Sequence, residues 1–445
     1  AGREEGPCIC QGGRMGMLMI GYARAFFEVM GNRKLSPEQL AQHKSRRLRE
    51  VLISAYKHVP YYRRLMNSIG YNPEIDFRGP GDLFHFPVTT KADLKRNDLK
   101  SFIKAGVDLA RCFSDSTSGS TGIPLTVYRD HYERAIQISK MLRTFFINGY
   151  SIHDKVLTVA SPARLKNGQS FLRHFGILRW QPINYLLPPG KMVDILLEYK
   201  PVVLHGNRSH LDNIALELLR RNIQYKKLKL IVVTAEIIHK HTRRLYKEAF
   251  GLEPIETYGS TEVGIIAYET PERNGLKLCD DFFIFEFLDH ENKPVAPGEA
   301  GRVVVTYLYG KIMPLIRYDQ GDLICYQEMP GQDGMRITKV IGRDDDLAVL
   351  PDGSTRPFHD FYEIMDQYQQ INQFRVVQKT MNLFEILIAA KSSYFDACKK
   401  EILDQLHRSF PANCSFKLTR VDSIEPDPSG KLRMLISEVA PLPPR

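Results

Sequence analysis

The chain has 445 residues, 43% hydrophobic and 25% charged, with a formal net charge of +10; this is the balance of an ordinary globular protein and excludes a disordered or fibrous chain. At roughly 150 residues per domain, the length calls for two or three compact units. Its 61 Lys and Arg are scattered among 51 acids, so the charge suits a nucleotide or phosphorylated cosubstrate and lacks the dense stripe of a nucleic-acid binder.

Ala1 to Arg14 is Gly-rich and reads as a loose extension. The apolar run Met15 to Met30 is broken by Arg24 and Glu28, so it falls short of the ~20 apolar residues of a membrane span and predicts a peripheral amphipathic helix. Neither a transmembrane segment nor a signal peptide is expected. From Pro37 to Ile69 apolar residues recur at helical spacing, interrupted by Pro60. Ala92 to Leu99 predicts a short helix after Val88-Thr-Thr-Lys91.

Ser116 to Pro124 alternates hydroxyls with glycines. Such a run is either a flexible loop or a cradle of exposed amides and hydroxyls for an anion. Beyond it, strands at Thr126 to Tyr128, Lys155 to Ala160, Val202 to Leu204, Leu228 to Val233 and Pro254 to Tyr258 are separated by helical patterns, which implies βαβ units and a largely parallel sheet. Phe282 to Leu288 and Val303 to Leu308 predict antiparallel strands joined by a turn-rich connection. After Arg343 the pattern changes to a small α+β unit: a hairpin across Met381-Asn382, a helix striped by Phe395, Cys398, Ile402 and Leu406, and a strand from Ser415 to Val421. The seven cysteines are odd in number and Cys8-Ile-Cys10 has no second pair nearby, so they read as reduced thiols in a cytoplasmic protein.

Four further motifs follow the Ser/Thr/Gly run. Thr257-Tyr-Gly-Ser-Thr-Glu262 directly follows a predicted strand, where parallel sheets bind ligands. Arg317-Tyr-Asp-Gln-Gly-Asp322 presents a carboxylate suited to ribose hydroxyls, Ile341-Gly-Arg343 precedes an acidic run, and Asp427-Pro-Ser-Gly-Lys-Leu-Arg433 presents a lysine on a turn. Singly, each also fits an ordinary turn or solvated charge.

Taken in order, the five motifs resemble those of the adenylate-forming superfamily of acyl- and aryl-CoA ligases. The versions Val88-Thr-Thr-Lys91, Thr117-Ser-Gly-Ser-Thr-Gly122, Tyr258-Gly-Ser-Thr-Glu262 and Met313-Pro-Leu-Ile-Arg-Tyr318 with Gly321-Asp322 resemble the phenylacetate-CoA ligase and capsular-polysaccharide-biosynthesis-like branch. The resemblance runs from about Leu35 to Ser437. It implies an α/β fold: an N-terminal domain over 35–343 with mixed, largely parallel sheets, and a small mobile α+β domain over 344–445, preceded by an extension and helix over 1–34.

The resemblance implies that Ser118, Gly119, Ser120, Thr121 and Gly122 hold ATP phosphates, within a nucleotide site that includes Gly259, Ser260 and Thr261. Tyr258 would lie beside adenine, Glu262 would ligate Mg2+, Asp322 would hold ribose, and Arg343 would contact ribose or phosphate. Asp345 would be the pivot of domain rotation and Lys431 would bridge the carboxylate and α-phosphate. Glu262, Thr121 and Lys431 are thus the expected catalytic groups. ATP, Mg2+ and coenzyme A are the implied cofactors, and a homodimer is compatible with them.

Two departures stand out. Relatives in this branch carry a metal clip where this chain has Glu269-Thr-Pro271 and Gly275-Leu-Lys277, so no structural zinc is expected. The stretch from Ser161 to Pro188, with Gly168, Arg173 and Trp180, gives no aryl-pocket pattern. For the acid pocket the candidates are His205, Ala235, Glu236, Ile265 and Ile266, against core packing or capping as their alternative roles. The expected reaction activates an aromatic or small cyclic carboxylic acid and passes it to CoA. Transfer to an amine, a carrier-protein thiol or a sugar stays open, as does a non-catalytic nucleotide-binding role.

Overall fold

The structure, a computed structural model, describes residues 10–116, 125–160, 176–329, 334–343, 347–368, 370–371, 373–424 and 433–439, with only the helical backbone over 10–19. In chain order the helices are α1 (Cys10–Gly31), α2 (Pro37–His58), α3 (Pro60–Ser68), α4 (Lys91–Arg96), α5 (His131–Ile147), α6 (Pro189–Tyr199), α7 (Arg208–Arg220), α8 (Lys240–Phe250), α9 (Phe358–Met365) and α10 (Ser392–Ser409). The strands are β1 (Phe113–Ser116), β2 (Thr126–Arg129), β3 (Lys155–Ala160), β4 (Arg179–Asn184), β5 (Val203–Asn207), β6 (Leu230–Thr234), β7 (Ile255–Ser260), β8 (Gly264–Glu269), β9 (Leu276–Leu278), β10 (Phe283–Leu288), β11 (Ala300–Tyr307), β12 (Tyr318–Glu328), β13 (Met335–Arg343), β14 (Leu347–Val349), β15 (Thr355–Pro357), β16 (Gln373–Thr380), β17 (Leu383–Ala389), β18 (Ser415–Val421) and β19 (Leu435–Ser437).

The helical opening follows its local signals. Ser36 and Gln39 form a reciprocal capping box across Pro37, which fixes the start of α2. Pro60, lacking an N–H, ends that helix and opens the next. In α1, Ala25 and Val29 are fully buried, while Glu28 accepts hydrogen bonds from Arg47, Tyr132 and Tyr309. The helix expected to be peripheral is therefore fastened along α5, although Ile20 and Phe27 stay exposed. No helix among the described residues is long and apolar enough to cross a membrane.

One eleven-stranded sheet runs β10-β11-β12-β13-β9-β8-β7-β6-β5-β3-β4. From β4 to β7 neighbours are parallel, and from β7 to β10 they are antiparallel. The continuous apolar run of β6 reflects burial on both faces. Ile231 and Val233 pack with Leu211, Leu218 and Leu245 of α7 and α8, whereas Leu230 and Val232 pack with Phe145 of α5. The predicted antiparallel pair is β10–β11, in register from Phe283↔Tyr307 to Leu288↔Arg302.

A second sheet, β18-β17-β16-β19, has the expected β16–β17 hairpin at its centre and parallel outer pairs. It encloses its own core, in which Phe361, Phe384, Ile386, Ile402 and Leu406 are fully buried. The fold is thus α/β, with a large mixed sheet and a smaller C-terminal α+β unit.

Candidate active site

The site is built where the parallel half of the large sheet meets the antiparallel half. At the end of β7 the chain turns back into β8, and the ladder shifts register between Tyr258 and Gly259. A Cβ on Gly259 would meet Gly264 O at 2.4 Å and Ile265 Cα at 2.9 Å, so only glycine permits this approach. The kink lays Tyr258 toward β12, where its hydroxyl donates to Asp322 Oδ2 at 2.7 Å.

Asp322 faces Arg343 across the β12–β13 ladder, with Arg343 Nε at 3.6 Å from Oδ1, and Arg343 Nη2 donates to Gln320 O at 3.3 Å. Gly321 reaches φ 71° and its N–H is held by Asp319 Oδ1 at 2.8 Å, which aims the Asp322 carboxylate. Burial raises the Asp322 carboxyl above its ordinary range, opposed by Arg343 and by the Tyr258 hydrogen bond. Burial and the adjacent Asp322 push the Tyr258 phenol well up. Tyr258 thus keeps its proton as a donor, and the Asp322 carboxyl is the acceptor, presented on a paired ladder.

Beside this pair lies Glu262. Its Oε1 accepts from the Tyr318 hydroxyl at 3.2 Å and stands 3.9 Å from Lys91 Nζ. Lys91 opens α4 behind the capping box of Thr90 and Asp93. The preceding Thr89 exchanges backbone hydrogen bonds with Arg317 and Asp319 at 2.8 and 2.9 Å, which draws the Val88-Thr-Thr-Lys91 segment against β12. Three of the sequence motifs therefore meet at one place. Among the described residues no group of three or more His, Cys, Asp or Glu could enclose a metal. A lone carboxylate such as Glu262 suits Mg2+, a cation usually held by one or two carboxylates, waters and substrate phosphates.

The hairpin β1–β2 brackets the Ser/Thr/Gly run, with Ser116 Oγ and Thr126 Oγ1 at 2.9 Å. Ser118, Gly119, Ser120, Thr121 and Gly122 lie outside the described residues, as do Asp345, Lys431, Gly168 and Arg173. Two buried cations that the sequence reading missed serve the turn from β7 to β8. Arg129, ending β2, donates to Asp115 and to the carbonyls of Thr261 and Glu262, and Lys140 on α5 donates to the carbonyls of Val263 and Ile265. A signal did exist, since Arg129 falls on the inward side of an alternating strand and Lys140 sits four residues from Ile136 on an apolar helix face.

The acid-pocket candidates separate. His205 stands in β5 with its ring edge-on to Phe145 at 5.4 Å and Trp180 at 6.2 Å. Ala235 is exposed just beyond β6 at φ 67°, a strained conformation for a residue with a Cβ. The Glu236 carboxylate is taken by the fold: it accepts from Ser209 N at 3.0 Å and Ser209 Oγ at 2.8 Å, capping the first turn of α7, and pairs with Arg208 at 3.5 Å. Ile266 is fully buried in the main core, and Ile265 packs partly buried against it. A cavity of about 700 Å³ opens beside Val88 and Thr90, lined also by Leu288, Arg302, Arg317 and Leu323.

Residues 357–438 match the family described as the CapK C-terminal domain. Over 388 residues the chain is 25% identical to a phenylacetate-coenzyme A ligase of Thermus thermophilus, covering 83% of this chain and 85% of that protein. It is 26% identical over 336 residues to the phenylacetate-coenzyme A ligase of Escherichia coli, covering 72% and 76%. Among solved structures, 2-hydroxyisobutyryl-CoA ligase in the postadenylation state superposes with a TM-score of 0.73 at 19% identity, covering 88% of each chain. The anthranilate CoA ligase AuaEII bound to anthranoyl-AMP gives 0.56 at 16% identity, covering 74% of this chain and 67% of that one. The motif residues gathered at the end of β7, the two-sheet fold and these likenesses together support the adenylate-forming reading, in the branch of phenylacetate-CoA ligases and CapK-type proteins.

Proposed function

We propose that this protein is an ATP-dependent acid–CoA ligase that activates an aromatic or small cyclic carboxylic acid as its acyl-adenylate and transfers the acyl group to CoA. The observation that carries this reading is the pairing of Tyr258–Asp322–Arg343 with Glu262–Tyr318–Lys91 at the end of β7. These are an acceptor for ribose hydroxyls with a flat ring beside it, and a carboxylate for a phosphate-bound cation.

In this reading Asp322 accepts from the ribose, Tyr258 lies beside adenine, Arg343 contacts ribose or phosphate, and Ser118, Gly119, Ser120, Thr121 and Gly122 hold the phosphates. Glu262, steadied by Tyr318, holds Mg2+, which when bound neutralises charge on the phosphates. The acid's carboxylate is ionised at neutral pH and needs no general base. Its oxygen attacks the α-phosphorus, a P–O bond forms and pyrophosphate leaves. Two anions must be brought together, so positioning and positive charge dominate, and Lys431 provides that charge. The thiol of CoA then gives up its proton to water as its sulfur attacks the acyl carbon, the C–S bond forms, the bond from the acyl carbon to the phosphate oxygen breaks and AMP departs. The division at Asp345 into a body over 35–343 and a mobile unit over 344–445 allows Lys431 to withdraw before that second step. The half-buried Trp180, edge-on to His205, offers an aromatic wall for the acid. The setting is cytoplasmic.

The test is to supply ATP, Mg2+ and a panel of aryl and small cyclic acids with CoA, then amines, then a phosphopantetheinylated carrier protein, and to identify products by mass. An acyl-CoA is expected. An amide or carrier thioester, with no acyl-CoA for any acid, would refute the acceptor assignment.

A further inference from the structure

Two buried cations take carbonyls of the turn from β7 to β8 and of the start of β8. Arg129, 3% exposed, reaches the turn with one guanidinium nitrogen, donating to Thr261 O and, at 2.7 Å, to Glu262 O. Its other terminal nitrogen donates to Asp115 Oδ2 at 2.8 Å. With its amide oxygen turned inward, Gln137 accepts from Arg129 Nε at 2.6 Å. Lys140, 1% exposed, donates to Val263 O at 3.0 Å and Ile265 O at 3.1 Å. Its ammonium lies 4.5, 4.9 and 5.3 Å from the rings of Phe283, Tyr307 and Phe282.

The arrangement has a direction. Arg and Lys carry donors and no acceptor, so both side chains can serve only acceptors, here carbonyls and a carboxylate. Asp115 belongs to β1 and Arg129 to β2, the two strands of the hairpin, and Lys140 to α5, whereas three of the four carbonyls belong to the turn that carries Glu262 and the fourth to the start of β8. Burying two cations is costly unless their donors are used. Here the donors join two segments 132 and 133 residues apart in sequence.

We propose that Arg129 and Lys140 form a clasp that fixes the Thr261–Ile265 segment, and with it the Glu262 carboxylate, against the β1–β2 hairpin on one side and α5 on the other; they are positioning residues for metal-linked nucleotide binding. The inference rests on the reading of Glu262 as the metal-holding carboxylate. Lysine in place of Arg129 can keep Asp115 but lacks the fork that spans Asp115 and the turn at once.

The test uses the full chain and a fluorescent ATP analogue labelled on the ribose, titrated in Mg2+ and again in EDTA. The ratio of the two dissociation constants reports the metal-linked part of binding. R129K is expected to shrink that ratio about tenfold, the worth of one charge-assisted hydrogen bond, with a cooperative melting transition retained and K140M acting in the same direction. E262Q is the reference and should abolish the ratio. If R129K and K140M fold and keep the wild-type ratio while E262Q loses it, the clasp is refuted and the Glu262 reading stands. If E262Q itself keeps the ratio, the Glu262 reading falls and the clasp falls with it. Should R129K fail to fold, K140M decides in the same terms.

Discussion

Replacing Asp322 with Asn separates nucleotide recognition from fold stability. Asp322 accepts one hydrogen bond from Tyr258 at 2.7 Å and faces Arg343 at 3.6 Å; an amide oxygen can still accept from Tyr258, so the ladder and the tyrosine should keep their places. Lost are the negative charge and one of the two acceptor oxygens available to a ribose. A hydrogen bond to a charged group contributes about 1.5–3 kcal/mol, so ATP affinity should fall about 10- to 150-fold. The unliganded protein should not be weakened. The Asp322 carboxyl is raised above its ordinary range chiefly by burial, so whatever stability the group contributes is present below its unfolded pKa and lost as pH rises through the folded one. At neutral pH the ionised form is a burden that Asn removes. Isothermal titration with ATP and thermal melting of the unliganded variant measure both halves. Unchanged ATP affinity in a folded variant would refute the ribose assignment, and a large drop in the melting temperature would refute the electrostatic reasoning.

Other substitutions test the remaining assignments. K431A should cut carboxylate-dependent pyrophosphate exchange by about 10²–10³-fold, as expected for loss of charge stabilisation in the transition state, while ATP binding by titration changes little. Glu256 is pushed up to about 7 by burial and by the neighbouring Glu269, with Arg243 opposing. Its stabilising share is therefore complete below the ordinary value of 4.5 and lost as pH rises through about 7. E256Q should accordingly gain on the wild type between pH 5.5 and 8, by about 2 kcal/mol, in denaturant titrations at the two pH values; a constant difference would contradict this. E236A leaves Arg208 with Asp212 alone and uncaps α7, so chemical denaturation should show a loss of about 3–5 kcal/mol, with the ranking of acid substrates unchanged in the folded fraction.

Much of the fold and part of the site were legible because the relevant signals are local. A proline stops α2, apolar runs mark β3 and β6, and short polar residues with glycines sit at strand ends where ligands bind. Tyr258, Glu262, Asp322 and Arg343 meet as the motif order implied, brought together by the β7–β8 kink and the β12–β13 register. Illegible were the long-range partners. Nothing in the composition of Thr126-Val-Tyr-Arg129 says that its arginine serves carbonyls of Thr261 and Glu262, and Tyr318 was visible only as part of a motif, not as the donor to Glu262. Glu236 looked like a pocket acid because it follows a strand, yet Ser209, 27 positions away, claims its carboxylate. The edge strand β4 escaped because Arg179 to Asn184 mixes Pro182 and polar residues and is mostly half-buried, so it shows neither alternation nor a full apolar run.

The central claim is adenylate formation, and the most direct measurement is ATP–pyrophosphate exchange in the absence of CoA, across a panel of aromatic and small cyclic carboxylic acids with Mg2+. Exchange that requires an acid, saturates with it and disappears in K431A is the predicted result. ATP binding by a folded protein with no acid-dependent exchange anywhere in the panel would contradict it.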